Sequence, residues 1–473
     1  MKTIGIIGFG NINQEVARQA IASDKIEIKW ILDRSPGKKV KKEARQKIED
    51  SLGKKLRFIK SKSSLRSEAD KVDVIVEATG AIEAIEYLRY KRDKLKWGNE
   101  VLFVTANKAM VANHLSEFFD SDNNDVRIEA AVAGGLPLIR SLSEHIASDK
   151  VQGMVGILNG TTNFMLDEME KSIYSSKKQT YDMVLDESVQ RGYAEPGGAG
   201  DVDGQDAAYK LQILSRIAFG TDASPSSDLV RGIDDNKKFD RIRSVDFIYA
   251  SKYLESTIKL VAIAQSSSTA EPFFLVYPML VAKSSNIANI EGPDNYIGIY
   301  SKYLVYTDMQ GKGAGPEPTA CAMLADVFSH KNCNSDSEPE QLITAFRSSE
   351  EVYFSRWMIR GSCYDRPGVL AHIFQHFESK EINIDEVFQL KTDEVGRKWS
   401  KEELDFGKEQ EKILPFAFTV TKTSLGKLQK ALSTLQLNKK FFPKKDKLFA
   451  FYPFLERKSD DNGVQKFVIE EQK

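Results

Sequence analysis

Short apolar runs alternate with amphipathic segments along the first third of the chain. The runs are rich in Ile and Val, which is typical of strands that a parallel sheet buries on both faces. Helical periodicity between them, as in residues 15–21, predicts crossover helices. The alternation predicts a doubly wound parallel α/β sheet in residues 1–135. The predicted strands are residues 4–7, 26–32, 72–80 and 101–108.

A glycine turn joins the first predicted strand to the first predicted helix. Gly8 permits a tight turn, and Gly10 lets backbone N–H groups approach a pyrophosphate at the helix N-terminus. Asn13 stands where the dinucleotide-binding fingerprint has its third glycine, so the pattern is incomplete. Taken alone, it also fits a glycine turn in an α/β protein that binds no dinucleotide.

The end of the second strand carries signals for both nicotinamide dinucleotides. Asp33 follows the glycines by about twenty residues, where an acid bonds the adenosine ribose hydroxyls and favours NAD. Arg34, Lys38 and Lys39 come directly afterwards, and their charge suits the 2′-phosphate of NADP. The choice between NADP and NAD therefore stays open.

Two later strands end in residues that suit the same edge of the sheet. Thr79 ends the third predicted strand and Lys108 ends the fourth. Ligands of doubly wound sheets lie outside the carboxyl ends of the strands. Lys108 is therefore a candidate for holding a carboxylate or the cofactor, although a single lysine in a turn is more often a plain surface residue.

A glycine-rich loop in the middle of the chain precedes a helix with paired charges. The loop carries Glu195 and Asp201, and the helix, which we predict to begin near residue 203, carries Asp206 and Lys210. Because Asp206 and Lys210 are four residues apart, they share one helix face. Such a pair is usually a surface ion pair of little consequence. The apolar positions that follow Lys210 predict a buried helix, so the pair is a candidate catalytic unit.

Two other segments of the middle region suit ion binding or positioning. Residues 129–139 predict a strand that leads into a glycine turn, and carbonyl groups crowded beside Glu129 would suit a hard cation. From residue types alone, a tight turn without an ion is favoured. The cluster Asn159-Gly160-Thr161-Thr162-Asn163 has no nucleophile–base pair, so we expect it to position other groups.

The pattern changes after a polar stretch at residues 332–341. Four apolar strands and two helices then follow in the order strand–helix–strand–strand–helix–strand, which is typical of a ferredoxin-like α+β domain. The predicted strands are residues 353–360, 382–389, 414–421 and 448–454, and the predicted helices are residues 372–379 and 425–435.

Composition excludes several classes of protein. A net charge of -1, from 67 Lys and Arg against 68 Asp and Glu, argues against a nucleic-acid partner. The three cysteines, Cys321, Cys333 and Cys363, form no disulfide framework and indicate a reduced, cytoplasmic compartment. No apolar run approaches the about 20 residues of a membrane span, so we expect no membrane partner. The N-terminus also lacks the pattern of a signal peptide.

Seven blocks of sequence, in a fixed order, resemble those of homoserine dehydrogenases. Each block is weak alone, but the ordered set covers most of residues 1–330 and is specific. The blocks are Gly8-Phe9-Gly10, Thr105-Ala106-Asn107-Lys108, Ala133-Gly134-Gly135-Leu136-Pro137, Asn159-Gly160-Thr161-Thr162-Asn163, Gly192-Tyr193-Ala194-Glu195-Pro196, Asp201-Val202-Asp203-Gly204-Gln205-Asp206-Ala207-Ala208, and Gly311-Lys312-Gly313-Ala314-Gly315-Pro316 with Pro318-Thr319-Ala320.

This sequence departs from the family pattern at two places. Asn13 replaces the third glycine, and we expect it to loosen the packing of the first helix against the pyrophosphate. Gly197-Gly198 stands where the family more often has Asp-Pro, which leaves the shape of that loop open.

The resemblance implies reversible reduction of L-aspartate 4-semialdehyde to L-homoserine by NADPH or NADH. Hydride delivery to the aldehyde builds negative charge on oxygen, which needs a proton or a cation nearby. By resemblance, Lys210 donates the proton, Asp206 orients Lys210 and bonds the substrate, and Glu195 binds the substrate α-ammonium group. Asp201 is then a supporting polar partner, and Lys108 reaches both cofactor and substrate and shares the proton role.

Cofactor and cation contacts are also implied by the resemblance. A sodium ion, or another monovalent cation, would be held by Glu129 and the carbonyl groups of Val132, Gly134 and Leu136. The implied cofactor-binding residues are Gly8, Phe9, Gly10, Asn11, Ile12, Asp33, Arg34, Thr79, Lys108 and Gly315.

The family's domain plan would divide the chain into four parts. Residues 1–135 would bind NADP or NAD, residues 136–308 would hold the catalytic and dimerisation domain, residues 309–345 would return to the nucleotide domain, and residues 350–456 would form a regulatory domain. The chain would form a homodimer or a homotetramer. Because the first strand begins near Ile4, no upstream kinase domain is expected, and the enzyme would be monofunctional.

Residues 350–456 resemble an ACT domain through the motif Asp365-Arg366-Pro367-Gly368-Val369-Leu370. This resemblance implies feedback regulation, with L-threonine as the expected effector, while a module that only assembles subunits remains the alternative. Two alternatives also remain for the whole chain. One is a Rossmann oxidoreductase for another amino-acid aldehyde or keto acid, and the other is a non-catalytic amino-acid sensor.

Overall fold

A computed structural model gives the architecture of the chain. It describes residues 1–34, 39–53, 55–97, 100–119, 125–176, 178–194, 197–198, 200–220, 227–234, 240–266, 273–329, 353–364, 366–390, 413–435, 441–442, 449–459 and 465–467.

Six parallel strands form the amino-terminal sheet. The strands are β1 (Lys2–Ile7), β2 (Ile26–Leu32), β3 (Phe58–Ile59), β4 (Val74–Glu77), β5 (Leu102–Thr105) and β6 (Val126–Arg127). Their order is β3-β2-β1-β4-β5-β6, so the chain winds outward from β1 in both directions. The doubly wound prediction is confirmed. The helices of this unit are α1 (Asn11–Ala22), α2 (Lys39–Leu52), α3 (Leu65–Glu68), α4 (Ile85–Asp93), α5 (Lys108–Asn113) and α6 (Leu115–Phe119).

Within residues 129–139, the strand predicted to begin at Glu129 is wrong, although the predicted turn at the glycines is present. β6 ends at Arg127, and Glu129–Ala131 forms a turn of 3-10 helix. Ala133 (φ 52°) and Gly134 (φ 44°) then both lie in the left-handed region of backbone conformation, which a strand residue does not occupy. The prediction failed because a short buried apolar run has the same composition whether its backbone is a strand or a turn.

Five antiparallel strands form the second sheet. The strands are β7 (Val151–Ile157), β8 (Ser256–Gln265), β9 (Phe273–Ala282), β10 (Asp294–Ser301) and β11 (Tyr306–Lys312), in the order β11-β10-β7-β8-β9. Helix α8 (Gly160–Tyr174) packs against β8 and β10, and helix α10 (Gln205–Phe219) packs against β7, β8 and β9. The helices of this unit are α7 (Leu138–Arg140), a π-helical turn (Ser141–His145), α8 (Gly160–Tyr174), α9 (Tyr181–Gln190), α10 (Gln205–Phe219) and α11 (Ser244–Leu254).

Helix α12 (Pro316–Phe328) carries the chain back to the amino-terminal sheet. Its buried residues Ala320, Met323 and Val327 share one core with Ile4 of β1 and Val16 of α1. The chain therefore leaves the amino-terminal unit after β6 and rejoins it after β11.

A four-stranded antiparallel sheet with two helices forms the C-terminal unit. Its elements are β12 (Phe354–Tyr364), α13 (Val369–Glu378), β13 (Ile384–Gln389), β14 (Ile413–Ser424), α14 (Leu425–Leu435) and β15 (Phe449–Pro453). The sheet order β13-β14-β12-β15 is that of a ferredoxin-like domain, as the sequence predicts. A hairpin of β16 (Arg457–Ser459) and β17 (Gln465–Phe467) follows. The charged insertion at residues 391–412 lies outside the described residues.

A buried charge cluster joins the C-terminal unit to the middle unit. The guanidinium group of Arg360, on β12, is fully buried and lies 2.8 Å from Asp246 and 2.6 Å from Asp240. Tyr452 donates a hydrogen bond of 2.8 Å to Asp246 from β15. Such a cluster is stable only while every charge keeps its partner, so the two units pack as one body at this contact.

A search of the described helices finds none that combines the length and apolarity needed to cross a bilayer.

Candidate active site

A cavity of about 430 Å³ opens at the carboxyl end of the amino-terminal sheet. Gly8 has φ +87°, and a Cβ there would lie 2.9 Å from the Thr79 side chain, so only glycine lets β1 turn this sharply beside β4. Gly10 caps α1 without a side chain, which leaves the helix N-terminus open to a phosphate. The lining residues are Ile7, Gly8, Phe9, Gly10, Leu32, Asp33, Arg34, Ala78, Thr79, Ala81, Glu83, Ala84 and Tyr87.

Asn13 stabilises the glycine turn, which corrects the expectation that it loosens the packing of α1. Its side chain is fully buried and donates hydrogen bonds to the carbonyl groups of Ile7, at 2.8 Å, and Gly8, at 3.1 Å. A glycine at position 13 would make neither bond. The asparagine therefore ties the first turn of α1 to the end of β1.

Asp33 and Arg34, which follow β2 directly, both line the cavity. Asp33 is buried, and Arg34 lies 3.5 Å from the Tyr87 hydroxyl group across the pocket. Asn11 and Ile12 begin α1, and Gly315 (φ 113°) caps α12; none of the three is among the residues that line the cavity. Lys108 also lies outside that lining.

Seven lining residues were not predicted as cofactor-binding residues. Ile7, Leu32 and Ala78 lie at or next to the ends of strands, and Ala81, Glu83, Ala84 and Tyr87 follow β4, in a 3-10 turn and the start of α4. Their position at or just after the carboxyl end of a parallel strand was the only available signal, because neither their residue types nor their spacing forms a motif.

Lys210, Asp206 and Lys108 meet at the junction of α5 and α10. Lys210 Nζ lies 2.8 Å from Asp206 Oδ2, and Lys108 Nζ lies 2.5 Å from Asp206 Oδ1. The side chains of Asp206 and Lys210 are only 6% and 7% exposed, whereas that of Lys108 is 42% exposed. One buried carboxylate thus holds two ammonium groups, and Lys108 connects them to solvent.

The segment between β7 and α8 completes the polar surroundings of this cluster. Lys210 donates a 2.7 Å hydrogen bond to the carbonyl group of Leu158. The Asn159 amide group donates to both Asp206, at 2.7 Å, and Asp201, at 2.8 Å. Its oxygen accepts the Thr162 N–H and caps α8. Through Asn159, the polar segment of residues 159–163 therefore positions other side chains, as its sequence predicts.

Burial and neighbouring charges shift the pKa values of Lys210, Asp206 and Asp201. Burial lowers the pKa of Lys210, and the charge of Lys108 adds to this effect while Asp206 opposes it. Burial alone would raise the pKa of Asp206, but the two lysines lower it far below its usual range. Burial and the negative charge of Asp206 raise the pKa of Asp201. Lys210 is consequently a stronger acid than a lysine in water.

Glu195 lies outside the described residues. Gly197 (φ 85°) and Gly198 (φ 65°) both adopt left-handed conformations, so this loop turns where an Asp-Pro pair would strain it.

Glu129 is engaged by the start of α7. Its two carboxylate oxygens accept the N–H groups of Ile139, at 3.0 Å, and Arg140, at 2.9 Å. Burial, together with the charge of Asp326, raises the pKa of Glu129 to about 7. The carbonyl group of Leu136 accepts the N–H of Leu138 at 2.8 Å. Among the described residues, no three His, Cys, Asp or Glu side chains cluster as a metal site.

The dinucleotide-type cavity, together with the buried Lys210–Asp206 pair, defines a Rossmann-type oxidoreductase. The model of the homoserine dehydrogenase family matches residues 137–328. The homoserine dehydrogenase of Lactococcus lactis is 32% identical over 406 residues, which cover 82% of this chain and 89% of that protein. The chain therefore belongs to the homoserine dehydrogenase family.

Two further comparisons agree with this membership. The homoserine dehydrogenase of Helicobacter pylori is 31% identical and is covered over 87% of its length by 82% of this chain. The crystal structure of a homoserine dehydrogenase from Thiobacillus denitrificans superposes with a TM-score of 0.72, at 25% identity, over 96% of this chain and 98% of that one. The oxidoreductase activity predicted from the sequence, homoserine dehydrogenase, is confirmed.

Proposed function

We propose that Lys210 is the general acid that protonates the aldehyde oxygen of L-aspartate 4-semialdehyde. Two of its three N–H donors go to Asp206 and to the carbonyl group of Leu158, and the third meets the substrate oxygen. The observation that carries the proposal is an ammonium group, 7% exposed, held at 2.8 Å by a carboxylate that has a second positive partner. A surface ion pair would have neither this burial nor this second partner.

When bound, the reduced nicotinamide supplies the hydride that adds to the aldehyde carbon. The charge that develops on the oxygen is neutralised by a proton from Lys210 Nζ, and L-homoserine results. Lys210 is left as an amine and regains its proton from solvent on the side where Lys108 is exposed. In the reverse direction the amine accepts the hydroxyl proton, which the lowered pKa of Lys210 favours.

The neighbouring residues bind and orient the substrate. Asp206 holds Lys210 and bonds the substrate, Lys108 shares the positive field around the oxygen, and Asp201 is a supporting polar partner. Glu195 is proposed to bind the α-ammonium group, on the family pattern alone. Partner and effector proposals also rest on that pattern: subunits pair as a homodimer or homotetramer, and residues 350–456 act as an ACT domain that binds L-threonine. The ferredoxin-like strand order supports the ACT assignment.

NADP(H) is the proposed preferred cofactor. The glycine turn at the N-terminus of α1 fits a pyrophosphate, and Arg34 supplies a positive charge in the cavity for a 2′-phosphate. A hyperthermophilic archaeal homoserine dehydrogenase has been solved in complex with NADPH; it is 24% identical, with a TM-score of 0.52. Asp33, buried beside Arg34, would accept the ribose hydroxyl groups of NAD(H), so measurable turnover with NAD(H) is expected as well.

A monovalent cation such as sodium is proposed at the turn that follows Glu129. The donors there are hard oxygen atoms, which suit the ion. Because both carboxylate oxygens of Glu129 already accept backbone N–H groups, the carbonyl groups of Val132, Gly134 and Leu136 would supply most of the coordination. Replacing sodium by a bulky organic cation should then lower the melting temperature, and an unchanged melting curve would remove the ion from the proposal.

The decisive experiment compares two lysines that share one sequence pattern. Lys210→Met removes the proposed acid, while Lys171→Met removes a lysine that forms the same i,i+4 pair with Asp167, at 3.0 Å, but is 48% exposed. Homoserine oxidation and semialdehyde reduction are measured with NADP(H) and NAD(H). We expect Lys210→Met to lower kcat by about 10²-fold or more, as for loss of a general acid, and Lys171→Met to leave it unchanged. Equal rates in the two variants would remove Lys210 from the mechanism.

A further inference from the structure

Glu77 is a fully buried carboxylate at the end of β4, and it lies outside the catalytic cluster. Its Oε1 accepts the Thr79 N–H at 2.7 Å and the Thr79 hydroxyl group at 2.6 Å. Its Oε2 accepts the hydroxyl group of Thr105, at the end of β5, at 2.5 Å. One side chain thus joins the carboxyl ends of two neighbouring strands.

Hydrogen bonds connect Thr105 to the start of α5, where Lys108 lies. The Thr105 hydroxyl oxygen accepts the N–H of Asn107 at 3.0 Å. Asn107 is the N-cap of α5, and its side-chain oxygen accepts the Met110 N–H at 3.1 Å. Lys108 is the first residue of α5, so the bond to Glu77 fixes the point at which this helix begins.

The other threonine bonded to Glu77, Thr79, lies at the cofactor cavity. Thr79 and Ala81 both line that cavity. The Asn107 side chain donates a 2.7 Å hydrogen bond to the carbonyl group of Ala81, which closes a ring of bonds between the cavity loop and the cap of α5. The position of Lys108 is therefore tied to the wall of the cofactor site, through side chains that are themselves buried or partly buried.

Backbone N–H groups hold the two threonine hydroxyl groups in place beside Glu77. The Thr105 oxygen accepts the Asn107 N–H, and the Thr79 oxygen accepts the Ala81 N–H at 3.4 Å. Burial raises the pKa of Glu77, and the donated bonds oppose that effect. A carboxylate that accepts three donors satisfies all of them, whereas a glutamine would turn its NH₂ group toward one of the hydroxyl donors.

We propose that Glu77 is a positioning residue, which sets the Lys108 ammonium group relative to the bound cofactor through Thr105 and Asn107. This inference rests on the proposed role of Lys108 and deepens it. Lys108 is 42% exposed and reaches Asp206 only from the correct start of α5, so loss of the tie should misplace its charge and slow the chemical step.

The test uses a threonine pair with matched chemistry. Thr105→Val removes the hydroxyl group that donates a hydrogen bond to Glu77, and Thr105→Ser keeps a hydroxyl group at this position. Thr3→Val is the control, because the Thr3 hydroxyl group donates to the Asp73 carboxylate at 2.9 Å between neighbouring strands, but near the opposite, amino-terminal edge of the same sheet. Lys108→Ala and the double variant Lys108→Ala/Thr105→Val complete the set. Steady-state kcat and KM are measured with thermal melting as the folding control, and Glu77→Gln serves if Thr105→Val does not fold.

We expect Thr105→Val to lower kcat by about 10- to 100-fold, the range typical of misplaced catalytic groups. Thr105→Ser should recover most of that loss, and Thr3→Val should keep the wild-type kcat even if it melts earlier. Because Glu77 acts through Lys108, adding Thr105→Val to the Lys108→Ala variant should lower its kcat by less than about twofold.

Two results would overturn the inference. One is a wild-type kcat in Thr105→Val, or in Glu77→Gln, while Lys108→Ala is slow. The other is a double variant whose losses multiply. A wild-type kcat in Lys108→Ala would instead refute the proposed role of Lys108, and the inference would fall with it.

Discussion

Replacing Asp206 by asparagine should move the pH range in which the enzyme reduces its substrate. Asp206 Oδ2 accepts from both Lys210, at 2.8 Å, and Asn159, at 2.7 Å, while Oδ1 faces Lys108. An asparagine with its oxygen at the Oδ2 position keeps the first two contacts and places an NH₂ group near Lys108. The substitution is thus nearly isosteric and chiefly removes the negative charge.

The size of the effect follows from the burial of the pair. Breaking a buried ion pair costs about 3–5 kcal/mol, because the remaining charge loses its partner. Asp206 raises the pKa of Lys210 against burial and against Lys108, so its loss lowers that pKa further. That loss falls on the protonated form of Lys210, so the pKa of Lys210 is lower in the variant than in the wild type. A larger fraction of the enzyme then lacks the acid at neutral pH.

The assay is the pH dependence of kcat for semialdehyde reduction. We expect the alkaline limb of the Asp206→Asn profile to lie at lower pH than that of the wild type, with activity partly restored at acidic pH. Asp167→Asn is the control, because it removes the carboxylate of the partly exposed Lys171 pair. An alkaline limb that does not move, or a loss of rate that is equal at every pH, would refute the coupling between Asp206 and Lys210.

Three further predictions concern other parts of the molecule. Arg34→Ala should raise KM for NADPH by roughly 10- to 100-fold and leave KM for NADH nearly unchanged, as for loss of one hydrogen bond to a charged group; equal effects on both cofactors would remove Arg34 from 2′-phosphate binding. In buffers whose monovalent cation is a bulky organic one, Glu129 has no sodium beside it and its pKa is raised to about 7 in the folded chain. Its ionisation then destabilises the fold as pH rises from about 4.5, and the wild type should lose about 3 kcal/mol relative to Glu129→Gln by pH 8 in urea titrations; parallel pH curves would contradict this. Arg360→Met should lower the free energy of unfolding by about 3–5 kcal/mol, because Asp240 and Asp246 stay buried without their partner, and a loss below about 1 kcal/mol would show that the cluster is not needed.

Local patterns were sufficient for most strands and helices and for the Asp206–Lys210 pair of the catalytic cluster. The doubly wound class of the amino-terminal sheet followed from alternation, and the pairing of Asp206 with Lys210 followed from a four-residue spacing on one helix. Both features depend on periodicities that a single segment already contains. The C-terminal ferredoxin-like order was predictable for the same reason.

Features that depend on contacts between distant segments were not predictable. Asn159 bridges Asp201 and Asp206 from 42 and 47 residues away, and no local pattern records such a distance. Glu77 looked like one polar position in an apolar strand, although it joins two strand ends. Asn13 looked like a defect in a glycine motif, because its bonds to the turn depend on a side-chain direction that composition does not carry.

Chemical rescue of Lys210→Ala tests the central claim most directly. Truncation of this buried side chain removes the ammonium group and leaves space in which a small amine can replace it. The account predicts that ammonium or methylamine, added to the variant, restores the reduction rate in a saturable way, and that amines of lower pKa restore it better at neutral pH. If no amine raises the rate of a folded, cofactor-binding Lys210→Ala protein, or if the variant turns over as fast as the wild type without one, Lys210 is not the proton donor.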